Sequence, residues 1–425
     1  MKKLGVAVIG LGERGQLLLR TVLKHFNNIS TVVAISDLYE DRLEKAAGAC
    51  QKYGEYQPLY ASTDYKTFIN KPEIDCVIVS SSWETHIPIA IDAMNAGKYT
   101  AMEVGGANNL DQCFELVKTY ERTGVPVMML ENCCYGQDEM MVLNMVKKGL
   151  FGEILHCEGG YHHDLRDQVA LGHEKRHYRI NHYMHRNGEV YPTHELGPIA
   201  KVLNINRGNR FVRLNAVASK ACGIKQFATD HYGADSKWAK DDYAQGDIVN
   251  TTLTCANGET VLLTLDTTLP RPYYSRGFCV RGTKGMCDEG GTVFYLDGMK
   301  ETRQNKGNEN EMMEKYEHPL QKEYRASSQD VGGHADGIDW LVVRAFLESV
   351  RYGTLPPIDV YDAAAWMAVG PLSAASIAAH GAPVDFPDFT RGKWQNREPA
   401  AENKYALHAV IEDKSMSIFP EAPQE

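Results

Sequence analysis

Residues 4–37 constrain the possible folds of this chain more than any other stretch. The apolar run Leu4-Gly5-Val6-Ala7-Val8-Ile9 leads into Gly10-Leu11-Gly12-Glu13-Arg14-Gly15 and then into the helix-forming Gln16-Leu17-Leu18-Leu19-Arg20. Strand, glycine turn and helix in that order let the backbone approach a pyrophosphate at the positive N-terminus of the helix. A lone G-x-G-x-x-G is a weak signal. It gains weight from a second run, Thr31-Val32-Val33-Ala34-Ile35-Ser36, which ends in Asp37, 22 residues after Gly15. At that spacing a carboxylate accepts the hydroxyls of an adenosine ribose and repels a 2′-phosphate, which favours NAD over NADP. Gly10, Gly12, Gly15 and Asp37 are therefore the first cofactor-binding candidates.

The alternation continues with a helix over 41–53, a strand Cys76–Val79 ending in Ser80-Ser81-Ser82-Trp83, and a helix from His86 to a stop at Gly97. A strand Tyr99–Met102 ends at Glu103, a helix spans Leu110–Thr123, and a run over 125–130 ends at Glu131-Asn132. Strands alternating with helices predict a doubly wound parallel sheet, a Rossmann domain over residues 1–131. Ligands sit beyond the carboxyl ends of such strands, where Asp37, Trp83, His86, Glu103, Glu131 and Asn132 all fall.

Past residue 131 the pattern changes to a helix over 138–148 and strands over 154–160, 211–218, 248–255, 259–268, 277–282 and 292–296. Turn signals such as Asn257-Gly258 between consecutive strands predict a mostly antiparallel sheet, hence an α+β domain over 132–425. Two loops are unusually polar, 161–195 and the charged, exposed stretch 303–333. Helices over 338–352 and 361–379 are expected to pack back on the sheet.

With 43% hydrophobic and 24% charged residues, the composition is that of a soluble globular protein. The formal charge of -10 lacks the clustered Lys and Arg of a nucleic-acid surface. The apolar N-terminal run is too short for a signal peptide, and no stretch reaches the eighteen apolar residues of a membrane span. A cytoplasmic location is expected, with the ten scattered cysteines as buried free thiols.

The chemistry concentrates in residues 186–198, Arg-Asn-Gly-Glu-Val-Tyr-Pro-Thr-His-Glu-Leu-Gly-Pro. If Pro192 opens a helix in its first turn, Tyr191 and His194 stand on one helical face, two proton-transfer groups pointing the same way. Residues 161–195 also hold histidines 162, 163, 173, 177, 182, 185 and 194. Only His173 and His177 have i,i+4 spacing, so a polar, sugar-shaped pocket is expected in place of a metal site.

Residues 97–105 resemble a stretch of the superfamily of glucose-fructose oxidoreductase and inositol dehydrogenase, in which Glu-Lys-Pro usually stands where this chain has Glu103-Val104-Gly105. The resemblance covers nearly the whole chain. In those dehydrogenases the lysine assists proton removal from the alcohol, and Val104 cannot ionise. Four further motifs look like the NAD-dependent glycosidases typified by α-N-acetylgalactosaminidase, family 109 of the glycoside hydrolases. They are Tyr161-His162-His163-Asp164-Leu165-Arg166, the segment Arg186–His194, Arg271-Pro272-Tyr273-Tyr274-Ser275-Arg276 and Gly332-Gly333-His334.

The resemblance implies a tightly bound NAD, recycled each turnover, held by Arg14, Gly15, Asp37, Trp83, His86, Glu103, Val104, Asn132 and Tyr191. It implies a substrate site of Tyr161, Arg179, Tyr191, Pro192, Thr193, His194 and Tyr274, with Tyr191, His194 and His334 as catalytic groups. The implied reaction oxidises C3 of a terminal N-acetylgalactosamine or related hexose, removes the acidified C2 proton with loss of the glycosidic oxygen, adds water and reduces C3 again. Such enzymes depart from the two-carboxylate scheme of most glycosidases. On this reading Tyr191 is the base at C2, its phenol activated by Arg179 or the nicotinamide charge, His194 or His334 acts at the C3 hydroxyl, and Glu131 orients a neighbour. The alternatives are a sugar or cyclitol dehydrogenase of the same superfamily and a catalytically idle NAD-binding scaffold. The partners expected are a small glycoside and further copies of the chain, as a dimer or tetramer, with no nucleic acid and no membrane.

Overall fold

Apolar runs separated by amphipathic helices assemble into a sheet covered on both faces. In the computed structural model, which describes residues 2–105, 107–289, 292–300, 306–327, 337–397 and 405–407, the first sheet has six strands. They are β1 (Leu4–Ile9), β2 (Ser30–Ser36), β3 (Tyr60–Ser62), β4 (Cys76–Val79), β5 (Tyr99–Met102) and β6 (Val127–Met129), in the order β3-β2-β1-β4-β5-β6. Every neighbouring pair is parallel. The intervening helices are α1 (Glu13–His25), α2 (Glu40–Gly54), α3 (Trp83–Asn95) and α4 (Leu110–Thr123). The short edge strand β3 was not legible in the sequence, because none of its three residues is fully buried and no apolar run marks it.

After α5 (Gln137–Lys147) comes a second, eight-stranded sheet. Its strands are β7 (Ile154–His162), β8 (Phe211–Ala218), β9 (Ile248–Cys255), β10 (Thr260–Asp266), β11 (Cys279–Gly282), β12 (Gly285–Asp288), β13 (Val293–Leu296) and β14 (Val384–Asp385). The order is β13-β12-β11-β7-β10-β9-β8-β14. The sheet is antiparallel apart from the central β7–β10 pair, which is parallel.

The region between β7 and β10 is more helical than expected. The polar stretch 161–195 folds into α6 (Arg166–Ala170), α7 (Arg179–His185) and the start of α8 (Thr193–Val202), and α9 (Gly223–Tyr232) and α10 (Lys237–Lys240) follow β8. The charged stretch 303–333, expected to be exposed, contains α11 (Glu309–Tyr316) and α12 (Pro319–Ser327), which bury Met312, Met313 and Leu320. Nine cysteines are buried and Cys222 is exposed, a departure from the expected uniform burial. Among the described residues no helix is long and apolar enough to cross a membrane.

The last two helices, α13 (Ile338–Tyr352) and α14 (Val360–Ala378), tie the molecule together. The alanine-rich α14 packs on β8, as the sequence predicts, and also on α4 and β6 of the first domain, while α13 packs on α1. A buried ion cluster fixes α14 to α8: Asp362 accepts from Lys201 Nζ at 3.1 Å and from Arg207 at 2.7 Å, and Arg207 also reaches Asp359 at 3.0 Å. Burial pushes the Asp362 carboxyl up, but the guanidinium and ammonium outweigh it and hold it below the usual carboxylate range. Removing one member of such a cluster strands buried charge. Asp362→Ala is therefore expected to cost about 3–5 kcal/mol in urea unfolding, and a loss below about 1 kcal/mol would contradict the role given to the cluster.

Candidate active site

The glycine turn forms a cradle that no side chain fills. Gly10 has φ +89, and a Cβ there would lie 2.4 Å from the backbone of Ser80 and Ser81. A Cβ on Gly15 would lie 1.9 Å from Gly10 O, so turn and helix meet in direct backbone contact. Gly12 caps α1 with extended backbone and no side-chain hydrogen bond, leaving the first N–H groups of the helix for an anion. Asp37 accepts from Leu11 N at 2.6 Å and Tyr39 N at 3.0 Å, which sets its carboxylate at the rim of the turn beside Arg42. His86 is buried, with Nε2 on Ser81 O at 3.0 Å and Nδ1 unpartnered, and burial pushes its imidazole down to about 4. The open helix terminus, the ribose-type carboxylate and the unpartnered His86 nitrogen fit a dinucleotide.

A second group of polar residues closes the cradle. Arg14 donates from Nε to Glu103 at 2.7 Å and from its other end to Asp339 on α13 at 2.7 Å, while Asn132 Nδ2 donates to the same Asp339 oxygen at 2.8 Å. Val104 is buried beside Glu103 and brings no ionisable group. Gly105 has φ +77, and a Cβ there would lie 2.6 Å from the Trp83 indole nitrogen. Glycine at this position lets the chain pass against Trp83.

Trp83 links the cradle to the second domain, stacking on Tyr191 at a centroid separation of 5.5 Å. Tyr191 stands before α8, because the helix begins at Thr193 with Pro192 as its cap. The two proton-transfer groups therefore do not share a helical face as expected. They meet across the cap instead, Tyr191 OH lying 3.1 Å from His194 Nε2. His194 Nδ1 lies 2.7 Å from Glu131 Oε1. Glu131 is completely buried at the end of β6, and although burial pushes its carboxyl up, His194 and the bonds it receives hold it below the usual range. With a carboxylate on Nδ1, that nitrogen carries the proton and Nε2 is free to accept from the phenol.

Burial and the neighbouring Tyr161 push the Tyr191 phenol well above its ordinary value, and Arg179 only partly opposes them. Of the two charges expected to activate the phenol, Arg179 therefore does not by itself bring it below its ordinary value. Arg179 sits in an aromatic cage, its guanidinium over Trp83, Tyr161 and Tyr191 at 5.4, 5.9 and 5.0 Å. Tyr161 lies 4.4 Å from Tyr191 and 5.9 Å from Tyr274, ring centroid to ring centroid. Thr193 is buried under the same turn. Two carboxyls flank it: burial pushes Glu189 up to about 8, and burial together with Glu189 raises Glu195 well above its ordinary value.

The structure thus brings together Tyr161, Arg179, Tyr191, Pro192, Thr193, His194, Trp83 and Tyr274 in one cluster. His334, with Gly332 and Gly333, lies outside the described residues. Sequence reasoning missed Asp339, which follows a left-handed Gly337 at the start of α13 and belongs to no motif. His163, one of the histidines expected to line a polar pocket, stands 3.0 Å from the Tyr161 hydroxyl, a contact that the sequence does not show.

A glycine cradle on a parallel sheet, whose Glu131 holds a histidine–tyrosine pair carried by a second sheet domain, defines a nicotinamide-dinucleotide enzyme of two domains. Residues 4–131 match the oxidoreductase family with the NAD-binding Rossmann fold, and residues 135–396 match the family described as glycosyl hydrolase 109, C-terminal domain. The chain is 39% identical over 419 residues to the α-N-acetylgalactosaminidase of Tannerella forsythia, covering 92% of this chain and 87% of that protein. It is 38% identical over 425 residues to a glycosyl hydrolase family 109 protein of Parabacteroides distasonis, covering 93% and 89%. The chain belongs to glycosyl hydrolase family 109. Its fold is similar to that of levoglucosan dehydrogenase solved with NADH and L-sorbose, with TM-score 0.68, 17% identity and 91% and 100% of the two chains covered. It is likewise similar to myo-inositol 2-dehydrogenase from Lactobacillus plantarum, with TM-score 0.64, 16% identity and the same coverage.

Proposed function

We propose that this chain is an NAD-dependent glycosidase that cleaves a terminal N-acetylgalactosamine, or a closely related hexose, by oxidation, elimination, addition and reduction. The observation that carries this reading is the Glu131–His194–Tyr191 chain, with Glu131 and Tyr191 buried and Tyr191 stacked on Trp83, beside a cradle that has valine, Val104, next to Glu103. When bound, NAD supplies the hydride acceptor and donor. Gly10, Gly12, Arg14, Gly15, Asp37, His86, Glu103, Val104 and Asn132 would hold it, with Trp83 and Tyr191 at its reactive end.

The raised phenol explains why tyrosine and histidine come as a pair. Tyr191 takes the C2 proton as its own proton passes to His194 Nε2, and the imidazolium so formed is stabilised by Glu131. No free phenolate has to stand in a buried site. Arg179, Tyr161 and Tyr274 would seat the sugar, and Pro192 and Thr193 would set the turn that carries Tyr191. The family relationship and the aromatic, hydrogen-bonding character of the cluster support a sugar substrate.

Purified protein incubated with a p-nitrophenyl N-acetylgalactosaminide in deuterated water, without added cofactor, is expected to release nitrophenol and place deuterium at C2. Net NADH accumulation from free sugar with no bond cleavage would instead identify a dehydrogenase. Tyr191→Phe is expected to slow C2 exchange by about 100-fold or more, and full exchange in that variant would refute Tyr191 as the base.

A homo-oligomer in the cytoplasm is part of the same proposal. Among the described residues one face of the second sheet is open: alternate residues of β9 are exposed or partly exposed, and Val217 of β8 is 54% exposed. Light scattering should give a dimer or tetramer mass, with the activity in the cytosolic fraction; a monomer, or activity in an exported fraction, would contradict it.

A further inference from the structure

We infer that Tyr161 and His163 form a second proton-transfer pair, which takes up, stores and returns the proton of the sugar hydroxyl being oxidised. This rests on the glycosidase reading above. Tyr161 OH lies 3.0 Å from His163 Nδ1, the same tyrosine–imidazole contact that Tyr191 and His194 make at 3.1 Å. The two pairs are adjacent, with the phenol rings 4.4 Å apart.

The alternation of a β-strand explains which histidine takes part. Tyr161 and His163 are two residues apart and point to one face of the sheet, and the ladder continues through His163 N donating to Asp266 O at 3.0 Å. His162, between them, lies against Gly160 and Gly277.

The reaction calls for two separate acceptors. The hydroxyl proton leaves at oxidation and must remain available until the ketone is reduced, and between those steps the C2 proton has to be moved as well. One imidazole cannot hold both. In the step assigned here the hydroxyl O–H bond breaks and its proton bonds to Tyr161 Oη, while the proton already on Tyr161 passes to His163 Nδ1. Reduction reverses the path, so no proton is gained or lost over a turnover.

The surroundings suit that role. The groups facing His163 are Tyr161 on β7, Asp164 next in the chain, Arg179 on α7, His194 on α8 and Tyr274 ahead of β11. Burial, then Arg179, depresses the imidazole below its ordinary value, with Asp164 opposing. His163 is therefore neutral near pH 7 and accepts a proton. As a group acting through Tyr161 it is a positioning and relay residue.

The test uses NAD-loaded, full-length protein. His163→Asn keeps an acceptor for the phenol but cannot take its proton. Mixed with a p-nitrophenyl N-acetylgalactosaminide in a stopped-flow instrument, wild type should reduce its bound NAD at a rate that falls on acidification through the His163 titration. The variant should be about 100-fold slower and insensitive to pH over that range, with KM changed less than about threefold. Its C2 exchange, started from the matching 3-keto glycoside, should stay at the wild-type rate, unlike that of Tyr191→Phe. Unchanged NAD reduction, or equal loss of C2 exchange, would overturn the proposal. Should the variant misfold, ¹⁵N titration of wild type decides: a neutral His163 protonated on Nε2 at pH 7 supports it, and an imidazolium overturns it. A wild type that cleaves no glycoside fails the glycosidase reading itself.

Discussion

One hydrogen bond, from His194 to the buried Glu131 carboxylate, joins the cofactor domain to the start of α8, where His194 meets Tyr191. A carboxylate with no solvent exposure costs several kcal/mol unless it is paired, so Glu131 holds His194 in one orientation and one tautomer. The partner elements are shaped to allow this contact. Gly197, one turn along α8, stands where a Cβ would lie 2.8 Å from Glu131 Cγ and 3.0 Å from Cys134 Sγ. Only a residue without a side chain lets α8 approach the segment after β6 closely enough. From that contact the Tyr191 phenol, the Trp83 stack and the Arg179 cage follow in sequence.

The same cluster is held from two further sides. Asp339 of α13 reaches into the cradle to bind both Arg14 and Asn132, so a helix from the C-terminal part of the chain completes the cofactor side. Below α8, Lys201 and Arg207 converge on Asp362 of α14, which also packs against the first domain. Helix α8 is thus held by buried carboxylates near both ends, Glu131 at its start and Asp362 at its finish.

Much of the fold was legible because the relevant signals are local. Apolar runs, glycine stops and the Gly15-to-Asp37 spacing gave the parallel domain, and the limits of β8, β9, α4 and α13 agree with those read from the sequence. The parallel pairing of β7 with β10 was not legible, since it depends on how a long intervening segment returns to the sheet, and neither were the short helices α6, α7 and α10. In the site, Tyr191 and His194 were found from their spacing, yet the reason they meet is the cap at Pro192, which sequence periodicity does not register. Asp339 was missed because its partners, Arg14 and Asn132, become visible only once the chain has folded, and the pairing of His163 with Tyr161 was not legible for the same reason. Of the two charges expected to activate the phenol, Arg179 is not enough on a similar ground: burial, a property of the whole fold, outweighs one nearby cation.

The proposed catalysis turns on Glu131 acting through His194 upon Tyr191. The most direct measurement is the rate of C2 deuterium exchange by Glu131→Gln, with NAD affinity measured on the same protein. Gln keeps the size and a hydrogen bond but removes the charge that stabilises the imidazolium. The account predicts exchange slowed by about 100-fold with NAD affinity unchanged. Exchange at the wild-type rate in a correctly folded variant would contradict it.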